Sequence, residues 1–373
     1  MSLGKKLLHM HWLFVILLTL TASIGFAMLY SAAGGDLDPW ASRQMVRFAI
    51  GILGMLVIAV TDIRLWLRYA YVFYFGVLAL LVAVEIAGFV GMGAQRWISL
   101  GAFNVQPSEL MKIALVLALA RYFHGASIDD VGRFLFLLPP VLMIAIPSAL
   151  ILRQPDLGTT LMLGLVGVAM FFAAGVRMWV FGLGALLAMI AAPVAWFTLL
   201  RDYQKQRILT FLNPETDTLG SGYHIIQSKI ALGSGGMFGK GYMLGTQSHL
   251  NFLPEKQTDF IFTMLAEEFG LVGGLTLLFL YFLLLMYGLV ISVSSRNHFG
   301  RLVGLGVTAS FFLYVFINIA MVMGLIPVVG VPLPLVSYGG TVMLTLLFGF
   351  GLLLGVHIHR EMTIGRRDSG DEF

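Results

Sequence analysis

A carboxylate placed where a polar stretch gives way to an apolar one is suited to acid–base chemistry at a membrane boundary. Residues 253–270, LPEKQTDFIFTMLAEEFG, hold such a group in Asp259. Pro254 interrupts the chain, Glu255 and Lys256 bring opposite charges, and a run rich in Phe, Ile, Leu and Met follows Asp259. An ionisable side chain at the mouth of a membrane segment is costly unless it meets water, a partner or a substrate. A structural role competes with this one. Thr258 or Asp259 can cap the helix that follows, which is worth about 0.5–2 kcal/mol. Glu267 and Glu268 lie deeper in the same apolar run, and at least one must find a polar interior or a cation.

Glu109 and Lys112, spaced i and i+3, share a helix face. They either neutralise each other inside the membrane or leave Lys112, steadied by Glu109, to meet an anionic group. Ser108, after Pro107, is another capping candidate. Trp97 beside Arg96 suits either an interfacial belt or a platform for a sugar ring. Arg153 and Asp156 flank the Gln154-Pro155 turn and can pair locally. His224 and His249 lack the spacing of a metal site. The glycines from Gly233 onward do not make a phosphate loop: Ser234 stands where its first glycine would be, and Gly241 follows Lys240.

Membrane helices must position these groups. Hydrophobic residues make up 59% and charged residues 11% of the 373-residue chain, against about a quarter charged in soluble proteins. A formal charge of +4, scattered between apolar runs, does not point to nucleic acid. The chain has no cysteine, which excludes disulfides, thiol catalysis and Cys-based metal sites. Spans are expected near 12–31, 44–61, 70–91, 108–123, 134–152, 157–175, 178–200, 259–291, 303–325 and 338–357, about ten of the usual length. The first run is too long for a signal-peptide core and reads as a retained span. Lys5, Lys6, Arg64, Arg68, Arg121, Arg133, Arg177, Arg296, Arg301, Arg360, Arg366 and Arg367 then fall on one side. By the positive-inside rule that side is cytoplasmic, together with both termini.

Outside residues 201–258, the opposite face keeps only Arg43, Arg47, Arg96 and Arg153, with Lys112 inside a span. Residues 201–258 form a large extracytoplasmic loop within a single membrane domain spanning 1–373. In that loop Tyr223, Ile226 and Ile230 share one helical face, which predicts a short amphipathic helix on the membrane surface. The polar joints that could do chemistry face outward.

Four segments carry a family resemblance: GAQRWISLGAFNVQPSELMKIA (93–114), QPDLGTTL (154–161), GYHIIQSKIALGSGGMFGKGYMLGTQSHLNFLPEKQTDFIFTMLAEEFG (222–270) and PLPLVSYGGT (332–341). In this order on a multi-span frame, the chain resembles the SEDS family of bacterial envelope proteins, the group of RodA, FtsW and SpoVE. HIIQSKIALGSGG and GTQSHLNFLPEKQTDF are more similar to the RodA branch. Lys256-Gln257 departs from the pair that relatives often carry before Thr-Asp-Phe.

The resemblance implies an all-α polytopic protein of the bacterial cytoplasmic (inner) membrane, a peptidoglycan glycosyltransferase that polymerises lipid II during elongation. It implies Asp259 as the acid–base residue, with Trp97, Glu109 and Lys112 lining an outward-facing cavity. It also implies a class B penicillin-binding protein, a transpeptidase, as partner among the elongation-complex membrane proteins. In such a reaction the GlcNAc C4 hydroxyl attacks a MurNAc C1 linked through pyrophosphate to a polyprenol, with inversion. Asp259 would take the hydroxyl proton. Lys112, then Arg47, Arg96 and Arg153, or a divalent cation (Mg or Mn), would balance the departing pyrophosphate, and no organic cofactor is needed. A lipid II flippase and a non-catalytic scaffold are the rival readings.

Overall fold

In lipid each backbone N–H and C=O must be satisfied within its own segment, so apolar runs of this length become helices. The computed structural model describes residues 3–91, 94–99, 104–127, 130–198, 200, 202–216, 221–250, 252 and 255–365. Its helices are α1 (Leu3–Leu8), α2 (Trp12–Ala32), α3 (Ala41–Val60), α4 (Ile63–Ala87), α5 (Pro107–His124), α6 (Phe134–Arg153) and α7 (Leu157–Ala173). They continue as α8 (Met178–Thr198), α9 (Asp202–Leu212), α10 (Ser221–Ser234), α11 (Thr246–His249), α12 (Ile261–Ser294), α13 (His298–Val322) and α14 (Gly340–Ile358). Eight are long and apolar enough to cross a membrane: α2, α3, α4, α6, α8, α12, α13 and α14. The expected ten spans require counting α7, which is apolar but shorter, and α5, which carries Glu109, Lys112 and Arg121.

Helix starts and ends alternate between the two ends of the bundle. The starts of α3, α5, α7, α12 and α14 share one end with the close of α13, and this end carries the candidate site. The inside-predicted cations among the described residues gather at the other end, where Lys6 donates to the Val60 carbonyl (2.8 Å) and Arg121 to the Arg68 carbonyl (2.6 Å); Arg366 and Arg367 lie outside the described residues. The packed centre consists of α5, α13 and α14, whose apolar side chains are largely buried. By contrast, no described residue of α8 is buried.

Several expectations change. The sequence predicts the third span at 70–91, but its helix runs Ile63–Ala87 and starts under an Asp62 cap, whose side chain accepts from the Arg64 N–H at 2.9 Å. Residues beyond Ala87 instead form a small antiparallel sheet, β1 (Phe89–Gly91), β2 (Ala94–Ser99) and β3 (Asn104–Val105), with Phe89 opposite Trp97 and Ile98 opposite Val105. In the 201–258 stretch, α10 forms where predicted but packs a different face. Ile225, Ser228 and Ala231 are buried against α12 and α13, while Ile230 is exposed. The reason is polar: Ser228 Oγ lies 2.9 Å from Thr263 Oγ1 and donates to the Val322 carbonyl at 2.8 Å.

α12 is interrupted at Gly270, whose φ of 66° and ψ of −162° break the helical ladder. The freed backbone groups are taken up by residues 236–241. Leu271 N–H donates to the Gly236 carbonyl (2.9 Å) and Val272 N–H to the Met237 carbonyl (3.1 Å). In return Lys240 and Gly241 donate to the Glu267 and Glu268 carbonyls, each at 3.0 Å. Only glycine holds such a φ without strain. The cation expected for the buried glutamates is Lys240, 2.7 Å from Glu267 Oε1; Glu268 instead accepts from Ser31 at 2.5 Å.

Candidate active site

The turn 255–260 enters α12 without a side-chain cap. The N-cap position falls on Phe260, and the Thr258 hydroxyl turns back to the Glu255 carbonyl (3.2 Å) and carboxylate (3.1 Å). The capping role open to Thr258 and Asp259 is therefore not taken by either. The turn is held by its carbonyls instead. Tyr338 N–H donates to Gln257 (2.8 Å), Ser337 Oγ to Thr258 (2.5 Å) and Asn318 Nδ2 to Asp259 (3.0 Å). These donors are themselves fixed: Asn318 also donates to the Val331 carbonyl (2.7 Å), Gln44 of α3 to the Ser337 carbonyl (3.0 Å) and Tyr281 to the Pro334 carbonyl (2.6 Å). Three helices and the 331–338 loop thus set the backbone of Asp259 and leave its carboxylate out of the scaffold.

That carboxylate is half-buried beside Gly330, where an added Cβ would lie 3.5 Å from Oδ2. It accepts no hydrogen bond among the described residues. Burial pushes its pKa up to about 6, the nearby Glu255 charge adds to the rise, and the Arg207 guanidinium opposes it. A carboxylate that titrates near the working pH, with its backbone rigidly held, is suited to general-base work. Arg207, on α9, donates to the Val328 carbonyl at 3.3 Å, two residues from Gly330.

Glu109 and Lys112 meet as an internal ion pair, Nζ to Oε1 at 2.6 Å, with both side chains almost completely buried. The Tyr314 hydroxyl donates to the other Glu109 oxygen, and Lys112 Nζ sits 4.3 Å from the Tyr314 ring centre. Tyr314 and Asn318 are one turn apart on α13, so this cluster lies about 6 Å along the helix from the residue that holds Asp259. Ser108 does not cap α5. The N-cap is Gln106, with Pro107 in the first turn, and Ser108 Oγ is buried without a hydrogen-bond partner.

The remaining cations divide. Arg47 packs over the Tyr338 ring (4.9 Å) and against Gly340, at the far end of the loop that holds Asp259. Arg96 folds onto the next turn, donating to the Gln154 carbonyl (3.1 Å) and the Pro155 carbonyl, with Asp156 at 3.7 Å. Asp156 caps α7 through the Thr159 N–H (3.1 Å), and Gly158 abuts the Val329 carbonyl, which places Arg96 along the same rim. The local Arg153–Asp156 pair does not form. Arg153, 74% exposed, faces Glu85 at 3.6 Å, because the helix end turns it away from the rim. Trp97 sits half-buried in β2 opposite Phe89. Its neighbour Arg96 points to the other face of the strand, since adjacent strand residues alternate.

Sequence reasoning missed Gln44, Arg207, Tyr314 and Asn318. Tyr314 and Asn318 left one signal, two polar groups spaced i and i+4 in an apolar span. Arg207 left none, being one of several cations in a polar segment. Among the described residues, no three His, Asp or Glu converge as a metal cage. Glu109 and Asp156 are already engaged by Lys112, Tyr314, Arg96 and Thr159. These donors do not fit a resident metal.

Comparison with known proteins places this geometry. The FtsW/RodA/SpoVE family model, described as "Cell cycle protein", matches residues 11–362. Peptidoglycan glycosyltransferase MrdB of Escherichia coli (strain K12) is 45% identical over 353 residues, covering 93% of this chain and 94% of its own. Stage V sporulation protein E of Bacillus subtilis (strain 168) is 38% identical over 356 residues, 92% of this chain and 96% of its own. Among solved structures, rod shape determining protein RodA of Thermus thermophilus aligns with a TM-score of 0.70 at 29% identity, covering 95% of this chain and 98% of that one. A chain from a peptidoglycan synthase complex, described as coordinating polymerization and crosslinking, aligns with a TM-score of 0.81 at 32% identity, covering 94% and 98%. With a family match over nearly its whole length, built on the same helical frame, the chain belongs to the FtsW/RodA/SpoVE family of cell cycle membrane proteins.

Proposed function

We propose that the chain is a peptidoglycan glycosyltransferase that polymerises lipid II during cell elongation and rod-shape maintenance. The observation that carries this reading is Asp259: Asn318 holds its carbonyl, Tyr338 and Ser337 hold those of the two residues before it, and its carboxylate accepts no hydrogen bond among the described residues. Asp259 removes the proton from the GlcNAc C4 hydroxyl as that oxygen attacks MurNAc C1, and the polyprenyl pyrophosphate leaves from the opposite face. One displacement inverts the anomeric centre, so a single base and a charge-compensating group are enough. The donors described above do not fit a protein-only cage for Mg or Mn, so the pyrophosphate charge is assigned to cationic side chains. Arg47 and Arg96 stand on the rim for that purpose; Trp97 offers a ring face to a sugar, and Glu109 with Lys112 firms the cavity wall.

The chain acts in the bacterial cytoplasmic membrane as one domain. Its site faces the extracytoplasmic side, where lipid II sugars are displayed, and the 201–258 segment is the large loop on that side. A class B penicillin-binding protein is the partner whose transpeptidase would cross-link the new strand. This is supported by the likeness to a synthase complex described as coordinating polymerization and crosslinking.

The test is direct. Purified protein given labelled lipid II without ATP should make glycan polymer. Transfer of lipid II across vesicles with no polymer would favour a flippase, and neither activity would favour a scaffold. A reporter active only outside the cytoplasm should be active when fused within residues 220–245 and silent after Arg366; the reverse overturns the orientation.

A further inference from the structure

The direction of a side chain follows from the two peptide planes on either side of its Cα. For Asp259 both planes are pinned by side-chain donors: Ser337 Oγ holds the Thr258 carbonyl, and Asn318 Nδ2 holds the Asp259 carbonyl at 3.0 Å. The two donors differ in standing. Ser337 belongs to the 331–338 loop and also accepts from the Leu333 N–H (2.8 Å), so it ties the turn to the loop. Asn318 lies on α13, completely buried, and its second N–H reaches the Val331 carbonyl (2.7 Å). One amide nitrogen therefore joins both the turn and the loop to the bundle. Val331 follows Gly330, the residue beside the Asp259 carboxylate. The two carbonyls gripped by Asn318 thus belong to the acid itself and to the neighbour of the glycine it abuts.

The other half of the amide shows what this joint costs. Asn318 Oδ1 is buried and accepts no hydrogen bond among the described residues. Turning the amide over would set that oxygen against two carbonyl oxygens, so the network fixes its orientation. A buried acceptor left without a donor is uncommon and destabilising. Here it accompanies two N–H groups on one nitrogen, which no other side chain of this length supplies.

We propose that Asn318 is a positioning residue for the general base: its amide aims the Asp259 carboxylate at the attacking hydroxyl and keeps the niche around it closed. This rests on the glycosyltransferase reading above. Being completely buried, Asn318 acts through Asp259 and touches no substrate. The carboxylate must stand about 3 Å from the oxygen whose proton it takes, and a displacement of about 1 Å can cost about 10²-fold in rate. The charged groups that act on Asp259 are Glu255, on its own turn, and Arg207, on α9. Residues 302–338 hold no charged residue, and their two tyrosines, Tyr314 and Tyr338, are engaged by Glu109 and Arg47. α13 and the loop therefore act on the carboxylate by excluding water, which disfavours its charged form.

Full-length Asn318→Leu, which keeps the size and removes both donors, tests this with lipid II as substrate. Its kcat should fall about 10- to 100-fold, while KM stays near wild type because no substrate contact is lost. The acid limb of the pH–rate profile should move to lower pH, since an opened niche hydrates the carboxylate. A merely structural asparagine would lower the yield of folded protein and leave the kcat and acid limb of the folded fraction unchanged. That result overturns the proposal, as does a loss carried by KM alone. Asn318→Asp, of the same shape, takes over if the leucine variant does not fold. Its buried, protonated carboxyl donates to one carbonyl instead of two, so kcat should fall by a smaller factor, and a wild-type kcat overturns the proposal. The titration of Asp259 itself can be read without lipid II by infrared difference spectroscopy, its carboxyl band identified by its loss in Asp259→Asn. This titration should shift to lower pH in whichever Asn318 variant folds, and an unshifted one overturns the proposal. It decides whether Asn318 sets the carboxylate even if wild-type protein makes no glycan, a result that would overturn the glycosyltransferase reading alone.

Discussion

Two acidic residues sit near helix starts at the same end of the bundle, each with a basic residue close by, and the fold treats them oppositely. Glu109 is closed in by Lys112 and Tyr314, with the pair almost completely buried. Asp259 is half-buried, its carbonyl and those of the two residues before it are tied down by three partners, and its carboxylate accepts no hydrogen bond among the described residues. A buried ion pair with its hydrogen bonds satisfied holds helices together and is poorly placed to exchange protons. A partly desolvated carboxylate without a partner holds nothing together and is easily protonated. What sets Asp259 apart as the candidate base is therefore an unused side chain on a fixed backbone, more than the presence of charge in the membrane.

Substitutions can break this contrast. The largest effect on turnover is expected from Asp259→Asn, which should reduce lipid II polymerisation about 10²–10⁴-fold, the usual worth of general-base assistance. The midpoint of thermal unfolding should not fall, since no cap or ion pair is lost. A near wild-type rate would reduce Asp259 to a scaffold residue. Lys112→Met should do the reverse. Leaving Glu109 buried and unpaired should cost about 3–5 kcal/mol of stability, and the Glu109→Gln/Lys112→Met double variant should recover much of it. If Lys112→Met unfolds at the wild-type temperature and only weakens lipid II binding, Lys112 is the substrate cation read from the sequence.

A smaller effect sharpens the comparison through pH. The base must be deprotonated, and burial raises the Asp259 pKa to about 6. The rate should therefore fall as pH drops through about 6, well above the range of an ordinary carboxylate. Glu255→Gln removes a negative neighbour, so it should lower the Asp259 pKa and move this limb to lower pH. An unshifted limb would show that another group titrates. The smallest effect belongs to Arg153→Ala. Its exposed pair with Glu85 should be worth at most about 1 kcal/mol, with polymerisation close to wild type. A large loss of rate would bring Arg153 back to the site.

Where sequence reading succeeded, the cause was local chemistry. Apolar runs flanked by arginines fix where helices run, because an unsatisfied backbone in lipid has no alternative. Asp259, Glu109 and Lys112 stood out equally as ionisable groups, since charges are conspicuous in a chain with 11% charged residues. Where the reading fell short, the deciding contacts were distant in sequence. The β1–β3 sheet joins short strands whose β signal is weaker than the apolar run before them. The buried face of α10 was chosen by Ser228 reaching Thr263 and Val322, against the pattern of its larger apolar residues.

The sequence by itself thus determined a bundle of membrane helices, its polarity of charge and a short set of ionisable residues able to do chemistry. Period, length and net apolarity are properties of the chain itself and survive without a fold. Only the tertiary structure decided which of those residues are consumed by the scaffold. It took Asn318, 59 positions from Asp259, to fix the Asp259 carbonyl, and Tyr314, 205 positions from Glu109, to close the ion pair. It also brought Arg207, on a different helix, to the loop beside Asp259. Whether a charge is neutralised or left available depends on partners that only folding brings within hydrogen-bond reach, and sequence spacing carries no record of them.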